Sequence, residues 1–176
     1  MDIIFLTGLI GSLFLVTGSA WKDPKKNLHP AKARKNQLFA IGNSLLFIYA
    51  MLSYFEGGAI FFVFLESLMV VSTIFMLLNV NDRWASAAVA LSGLFFLAWS
   101  FYLFENSSTV FFILGLTGAG IGFILKDNVK RNLALALGSV LIAVFSYLEG
   151  SGVYFWLNLF FAIFSTVHVV KARRRA

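Results

Sequence analysis

Residues 53–57 read Ser-Tyr-Phe-Glu-Gly, and residues 146–150 read Ser-Tyr-Leu-Glu-Gly. Each stretch ends a long apolar run, and each is followed by another run that opens with aromatic pairs, at 61–62 and 155–156. Similar order and spacing at two distant places in one chain indicate an internal repeat. The repeat predicts that one helical unit is present twice.

The residues before these stretches match as well. Arg-Lys-Asn at 34–36 corresponds to Lys-Arg-Asn at 130–132, and Ala-x-Gly follows at 40–42 and 136–138. Further upstream, two apolar runs share their glycine spacing and end in Lys-Asp, at residues 22–23 and 126–127. The repeat therefore extends over three consecutive apolar runs in each half of the chain.

The composition identifies lipid as the main solvent of these runs. Of the 176 residues, 60% are hydrophobic and 12% are charged, whereas soluble domains carry about 25% charged residues. A helix that crosses a bilayer needs about 20 apolar residues. Seven runs meet this requirement, so we predict an all-α, polytopic membrane protein with helices at 3–21, 37–55, 59–80, 85–103, 108–125, 133–148 and 153–170.

Charge placement predicts the orientation. With seven crossings, all 14 Lys and Arg residues lie on one face, in segments 22–35, 126–131 and 171–175 and at Arg83. The opposite face carries only acids, namely Asp2, Glu56, Glu105 and Glu149. By the positive-inside rule the amino terminus is outside and the carboxyl terminus is in the cytoplasm, in a bacterial inner membrane.

The first helix has a second interpretation, as a cleaved signal peptide. Small residues at 17–20 would suit cleavage, but the run opens with Asp2 instead of a basic segment. We therefore expect the first helix to be retained. The chain is then a single transmembrane domain, 1–176, with three-helix units at 1–80 and 107–176 and a linker helix at 84–104 that returns the chain across the membrane.

Two parallel three-helix bundles joined by an inversion-linker helix are a recurring transporter plan. This 3+1+3 plan resembles the SWEET/PQ-loop superfamily, which includes the PnuC-type vitamin transporters. The Gly-x-x-Gly first helix, basic loop and glycine-containing second helix are similar to YgjV-like bacterial inner-membrane proteins. The chain departs from SWEETs in having no Pro-Gln dipeptide, and its two prolines, Pro24 and Pro30, lie in the first loop.

The resemblance implies transport of a sugar, nucleoside or vitamin-like solute by alternating access. It also implies a pocket lined by an Asn on the third helix of a unit and a nearby Trp. Asn158 and Trp156 are the matching residues, and we take Phe64 as the counterpart of Asn158 in the first unit. Asn158 belongs to a polar stripe with Ala162, Ser165 and Thr166, which suits either a pore or close helix packing.

Glu66 is the most informative single residue, because it lies near the middle of the third helix. An ionisable group at that depth costs at least about 2.5 kcal/mol if it faces lipid, so we expect it to face the protein interior. It is a candidate for substrate binding or proton coupling. The alternative is a protonated carboxyl that only bonds a neighbouring helix.

Further candidates for a cavity lining are Asn43, Ser139 and Thr117, although Ser and Thr can also bond their own helix backbone. The helix glycines permit either close backbone contact or hinge motion, at Gly8, Gly11, Gly42, Gly115, Gly118 and Gly138.

Several classes of function are not favoured. The chain has no cysteine, and His29 and His168 have no neighbours at metal-ligand spacing, so we predict no metal, no cofactor and no enzyme activity. The basic segments Lys22–Lys35 and Lys171–Arg175 suit anionic lipid, not nucleic acid. The leading hypothesis is a small-solute transporter, and the alternative is a non-transporting receptor, sorting factor or scaffold.

Overall fold

The computed structural model describes residues 2–21, 29–104, 106–125 and 127–173. Over these ranges the chain is helical, with seven α-helices and one short 3₁₀ helix at Pro30–Lys32, which confirms the all-α prediction. The α-helices are α1 Ile3–Ala20, α2 Arg34–Phe55, α3 Ile60–Leu77, α4 Asp82–Tyr102, α5 Ser108–Ile124, α6 Asn128–Leu148 and α7 Gly152–Arg173.

Six of these helices are long and apolar enough to cross a membrane, and α5 is apolar but shorter, at 17 residues. The protein is therefore a multi-pass membrane protein. Three helices begin three or more residues earlier than their apolar runs predict, α2 at Arg34, α4 at Asp82 and α6 at Asn128. For α6 the reason is a cap, because the Asp127 carboxylate accepts a 2.8 Å hydrogen bond from the Lys130 backbone N–H.

The chain divides into two compact units, Met1–Ala88 and Val89–Ala176, and the boundary falls inside α4. In the first unit α2 packs against both α1 and α3. In the second unit α6 packs in the same way against α5 and α7. Each half of the chain thus has its middle helix in contact with the helices before and after it.

Both units use the same turn after the middle helix. Gly57 and Gly150 have positive φ angles, 94° and 70°, which an L side chain rarely adopts. In each turn the next residue donates a backbone hydrogen bond to the serine that opens the Ser-Tyr-x-Glu-Gly stretch, at 2.9 Å for Ser53 and 2.8 Å for Ser146. This is a Schellman cap, and it requires glycine at the same place in both repeats.

The shared turn also sets the register of the helices that follow. Gly57 and Gly150 are 93 positions apart, and at this offset Ser72-Thr73 matches Ser165-Thr166. At this offset Asn158 corresponds to Leu65, one residue from Phe64, the expected counterpart. Leu65, Phe64 and Asn158 are all buried, at 6%, 9% and 6% exposure, so burial does not distinguish the two pairings.

Glycines lie where the helices of each unit cross most closely. A Cβ added to Gly42 of α2 would lie 2.5 Å from Leu15 Cδ2 and 3.0 Å from the Gly11 carbonyl oxygen of α1. A Cβ on Gly138 of α6 would lie 2.8 Å from the Gly115 carbonyl oxygen of α5. These distances are too short for any side chain, so the glycines allow direct contact between backbones.

The other three predicted glycines, Gly8, Gly11 and Gly118, also lie in close contacts between helices. A Cβ added to Gly8 would lie 2.9 Å from the Tyr49 ring, and one added to Gly11 would lie 3.1 Å from Leu46. A Cβ added to Gly118 would lie 3.0 Å from the Gly138 Cα. Each of the six predicted positions thus lies in a contact between helices, which is the close-packing alternative of the sequence-based interpretation.

Candidate functional site

Glu66 lies in the interior of the protein. Its side chain belongs to α3 and is 2% exposed, and Phe62, Leu65 and Leu68 of the same helix are buried as well. This agrees with the expectation that the carboxyl avoids lipid. A carboxyl at this place is costly in free energy, and residues of this kind within membrane helices mark solute or proton paths in many transporters.

Asn43 and Thr73 connect α2 to α3 within the first unit. The Asn43 Nδ2 donates a 2.6 Å hydrogen bond to Thr73 Oγ1, and the Thr73 hydroxyl donates at 2.8 Å to the Met69 carbonyl oxygen. Both side chains are more than nine-tenths buried. Asn43 was a predicted cavity residue, whereas Thr73 was not identified from the sequence.

The threonine fixes the orientation of the amide. A hydroxyl has one proton, and that of Thr73 is directed to Met69, so Thr73 Oγ1 accepts the bond from Asn43. The Asn43 Oδ1 therefore points away from Thr73. It is buried and accepts no hydrogen bond from the described part of the chain. A buried carbonyl oxygen in this state costs about 1–3 kcal/mol.

Glu66 and Thr73 share one face of α3. They are seven residues apart, which is close to two full turns of an α-helix and about 10 Å along its axis. Thr73 contacts α2 through Asn43, so the Glu66 position lies on the side of α3 that is directed to α2. The first unit thus carries a row of three buried polar side chains, Glu66, Thr73 and Asn43.

Asn158 and Trp156 are not brought together. Asn158 is buried and donates a 2.9 Å hydrogen bond to the Tyr154 carbonyl oxygen of its own helix, whereas Trp156 is 58% exposed. Two positions along an α-helix correspond to a rotation of about 200°, so the two side chains leave α7 on opposite sides. The expectation that both line one pocket is wrong.

The remaining polar residues of α7 spread away from the interior. Ala162 is buried, but Ser165 is half-buried and Thr166 is exposed. The Thr166 hydroxyl donates at 2.8 Å to the Ala162 carbonyl oxygen. The predicted stripe is therefore buried only in its first half.

Thr117 and Ser139 do not form an interior polar contact in the described residues. The Thr117 hydroxyl donates at 2.7 Å to the Ile113 carbonyl oxygen of its own helix, and Ser139 is half-buried on α6. Backbone bonds of this type satisfy a hydroxyl without any partner from another helix. Among the described residues, neither side chain has a hydrogen-bond partner on another helix.

A contact that the sequence did not indicate links α5 to the end of α6. The Ser108 hydroxyl donates a 2.6 Å hydrogen bond to Glu149 Oε1. Asn106 lies beside it and accepts from the Ser108 backbone N–H at 2.9 Å, so it acts as a cap of α5. A serine at the start of a helix and a glutamate at a cap give no such signal in a single sequence.

The two histidines have local structural contacts. His29 Nδ1 accepts at 3.3 Å from the Ala31 backbone N–H and caps the 3₁₀ helix, and His168 Nδ1 lies 2.8 Å from the Phe164 carbonyl oxygen. Over the described ranges no three His, Cys, Asp or Glu side chains are grouped so that they could hold a metal ion. Of the two predicted anionic-lipid segments, residues 22–28 and 174–175 lie outside the described residues.

The comparisons with known proteins add no relative. The chain matches no family model, no curated protein and no solved structure.

Proposed function

We propose that the protein is a small-solute transporter or facilitator of the YgjV-like kind, with the 3+1+3 plan of the SWEET/PQ-loop superfamily. Its seven helices cross the inner membrane, with the amino terminus outside and the carboxyl terminus in the cytoplasm. The two three-helix units move relative to each other in alternating access, and α4 is the linker between them. The substrate is a sugar, nucleoside or vitamin-like molecule.

The buried row in the first unit is the observation that carries this proposal. Asn43, Glu66 and Thr73 are all polar, all lie within apolar membrane helices and are all nearly inaccessible. A protein that only anchors itself in lipid has no need for such residues, whose burial costs free energy. The similar packing of α1–α3 and α5–α7 supports a mechanism based on two repeated units.

Uptake into proteoliposomes tests the proposal. Purified protein should accelerate the entry of at least one of ribose, uridine and nicotinamide riboside over protein-free liposomes. The Glu66→Gln variant should fold normally and change the rate or the pH dependence of that uptake. Equal permeability with and without protein for all three solutes would contradict transport.

A non-transporting interaction role has one specific observation in its favour. The 3₁₀ helix Pro30–Lys32 is held against α2 by hydrogen bonds of 3.0 Å from the Asn36 and Gln37 side chains to its backbone. Lys32 and Arg34 are exposed on this fixed segment. A scaffold that binds an acidic partner or anionic lipid through it would lose the interaction when these two residues are changed to glutamine, with no effect of Glu66→Gln.

A further inference from the structure

The 3₁₀ helix Pro30–Lys32 belongs to a segment that is held in place at one end of the first unit. It packs against α2 and α3, and two side chains of α2 donate hydrogen bonds of 3.0 Å to its backbone. Ala33, directly after it, is 1% exposed. The residues on either side of Ala33, Lys32 and Arg34, are exposed. The segment therefore presents two basic side chains from a fixed backbone.

Arg34 lies at the start of the exposed side of α2. Ile41, Ile48 and Phe55 follow it at intervals of seven residues, and all three are exposed. Seven residues are close to two turns of an α-helix, so these side chains leave α2 on nearly the same side. Because α2 is long and apolar enough to cross a membrane, the solvent of its exposed apolar side chains is lipid. Arg34 therefore lies on the lipid-facing side of α2.

The length of α2 sets the depth of Arg34 in the membrane. From Arg34 to Phe55 the helix rises about 32 Å, and the hydrocarbon core of a bilayer is about 30 Å thick. With Phe55 at one edge of this core, Arg34 lies at the other edge, where the lipid phosphates begin. Basic side chains at such a depth extend along apolar surface and keep their charge at the level of the headgroups.

The charge around this segment suits a phosphate group. Residues 24–55 contain no Asp or Glu. The guanidinium group of Arg binds two phosphate oxygens at once, and Lys adds a second positive charge. A soluble acidic protein would have to reach Arg34 through the headgroup layer, in which phosphates are already present. Depth and charge together therefore favour a lipid over a soluble acidic partner.

The second unit differs at the matching place. Lys130 and Arg131 of α6 correspond to Arg34 and Lys35, and both are exposed. The Asp127 carboxylate, however, accepts a 2.8 Å hydrogen bond from the Lys130 backbone N–H, so a negative charge lies beside these bases. This charge opposes the approach of a phosphate. The second unit thus offers a comparison in which two exposed bases have different electrostatic surroundings.

We propose that Lys32 and Arg34 bind the phosphate group of an anionic phospholipid, whose acyl chains lie along the exposed side of α2 next to Ile41 and Ile48. Such a site depends on α2 crossing the membrane and not on the transport of a solute. Lipid binding is measured at equilibrium, without any flux.

The test is a lipid titration of the full chain in neutral detergent micelles. Phosphatidylglycerol is compared with phosphatidylcholine at equal concentration, and glycerol 3-phosphate and a polyglutamate peptide serve as a soluble phosphate and an acidic partner. Phosphatidylglycerol should raise the Tm with a saturable dependence on concentration, and the other three should leave it unchanged. An equal effect of phosphatidylcholine would overturn the proposal, and so would stabilisation by the peptide or by glycerol 3-phosphate but not by phosphatidylglycerol.

Two double variants assign the contact. Lys32→Gln/Arg34→Gln should weaken the affinity for phosphatidylglycerol about 25-fold, since each base near the membrane surface contributes about fivefold. Lys130→Gln/Arg131→Gln removes the same charge from the second unit and should weaken it by less than about threefold. Equal losses in the two variants would show a general attraction to the net charge of the protein and would overturn the site.

Folding and transport are separated from lipid binding by further measurements. The helix content and the Tm without added lipid show whether each variant folds. If Lys32→Gln/Arg34→Gln does not fold, Arg34→Gln alone decides, and an unchanged affinity for phosphatidylglycerol would reject the site. Selective lipid binding without uptake of any solute would support the site and contradict the transporter, whereas uptake without lipid selectivity would do the reverse.

Discussion

The Ser108 hydroxyl and the Glu149 carboxylate are 2.6 Å apart, and their hydrogen bond joins the start of α5 to the turn between α6 and α7. Ser108 is 8% exposed, whereas Glu149 lies at the surface. The bond thus attaches the start of α5 directly to the turn after α6. This turn is a Schellman cap, like the turn after α2.

Removal of this bond should weaken the second unit. Ser108→Ala leaves one oxygen of Glu149 without its protein donor, and we expect a loss of about 0.5–1.5 kcal/mol in the free energy of unfolding. Reversible denaturation in mixed micelles measures this difference. Ser107→Ala, at the exposed neighbouring residue, is the control, and equal stabilities of the two variants would show that the bond is not formed.

The glycine at the α5–α6 crossing should tolerate no side chain. Gly138→Ala places a methyl group 2.7 Å from the Ala119 backbone nitrogen, so the helices have to separate. We expect a destabilisation of about 1–3 kcal/mol, as for an overpacked core. Gly120→Ala in α5 meets nothing within 4 Å and should be neutral or stabilising, because alanine favours helix more than glycine does. Similar Tm values for both variants would contradict the close crossing.

The turn glycines should be sensitive for a different reason. Gly57→Ala has space for its methyl group, but the φ angle of 94° is strained for an L residue, at a cost of about 1–2 kcal/mol. Gly152→Ala, also in open space but without a positive φ angle, is the matched control. A loss of stability confined to Gly57→Ala is expected, and it would be measured by thermal unfolding in detergent.

The sequence predicted the helices well because lipid imposes a simple rule on them. A run of about 20 apolar residues has few alternatives to a membrane helix. For the same reason the burial of Glu66 could be predicted from its depth in the third helix alone. The repeated glycine at 57 and 150 was visible in advance as part of the repeat, whereas its Schellman turn was seen only in the structure.

Contacts between helices were harder to predict, because they depend on how each helix is rotated about its axis. Thr73 was missed for this reason, although it lies two turns from Glu66 and is therefore on the same face. Asn158 and Trp156 were grouped by their nearness in sequence, while helical geometry places them on opposite sides. The helical period of about 3.6 residues per turn decides which of these side chains share a face, and it separates positions 156 and 158.

The proposed transport mechanism depends on the number and direction of the membrane crossings. Cysteine labelling measures both most directly. The chain has no cysteine, so Lys32→Cys, Lys171→Cys and Ser151→Cys can each be read alone in intact cells with a membrane-impermeant maleimide. We predict that Ser151→Cys reacts from outside, and that Lys32→Cys and Lys171→Cys react only after the membrane is permeabilised. Labelling of positions 32 and 171 from opposite sides of the membrane would contradict the account.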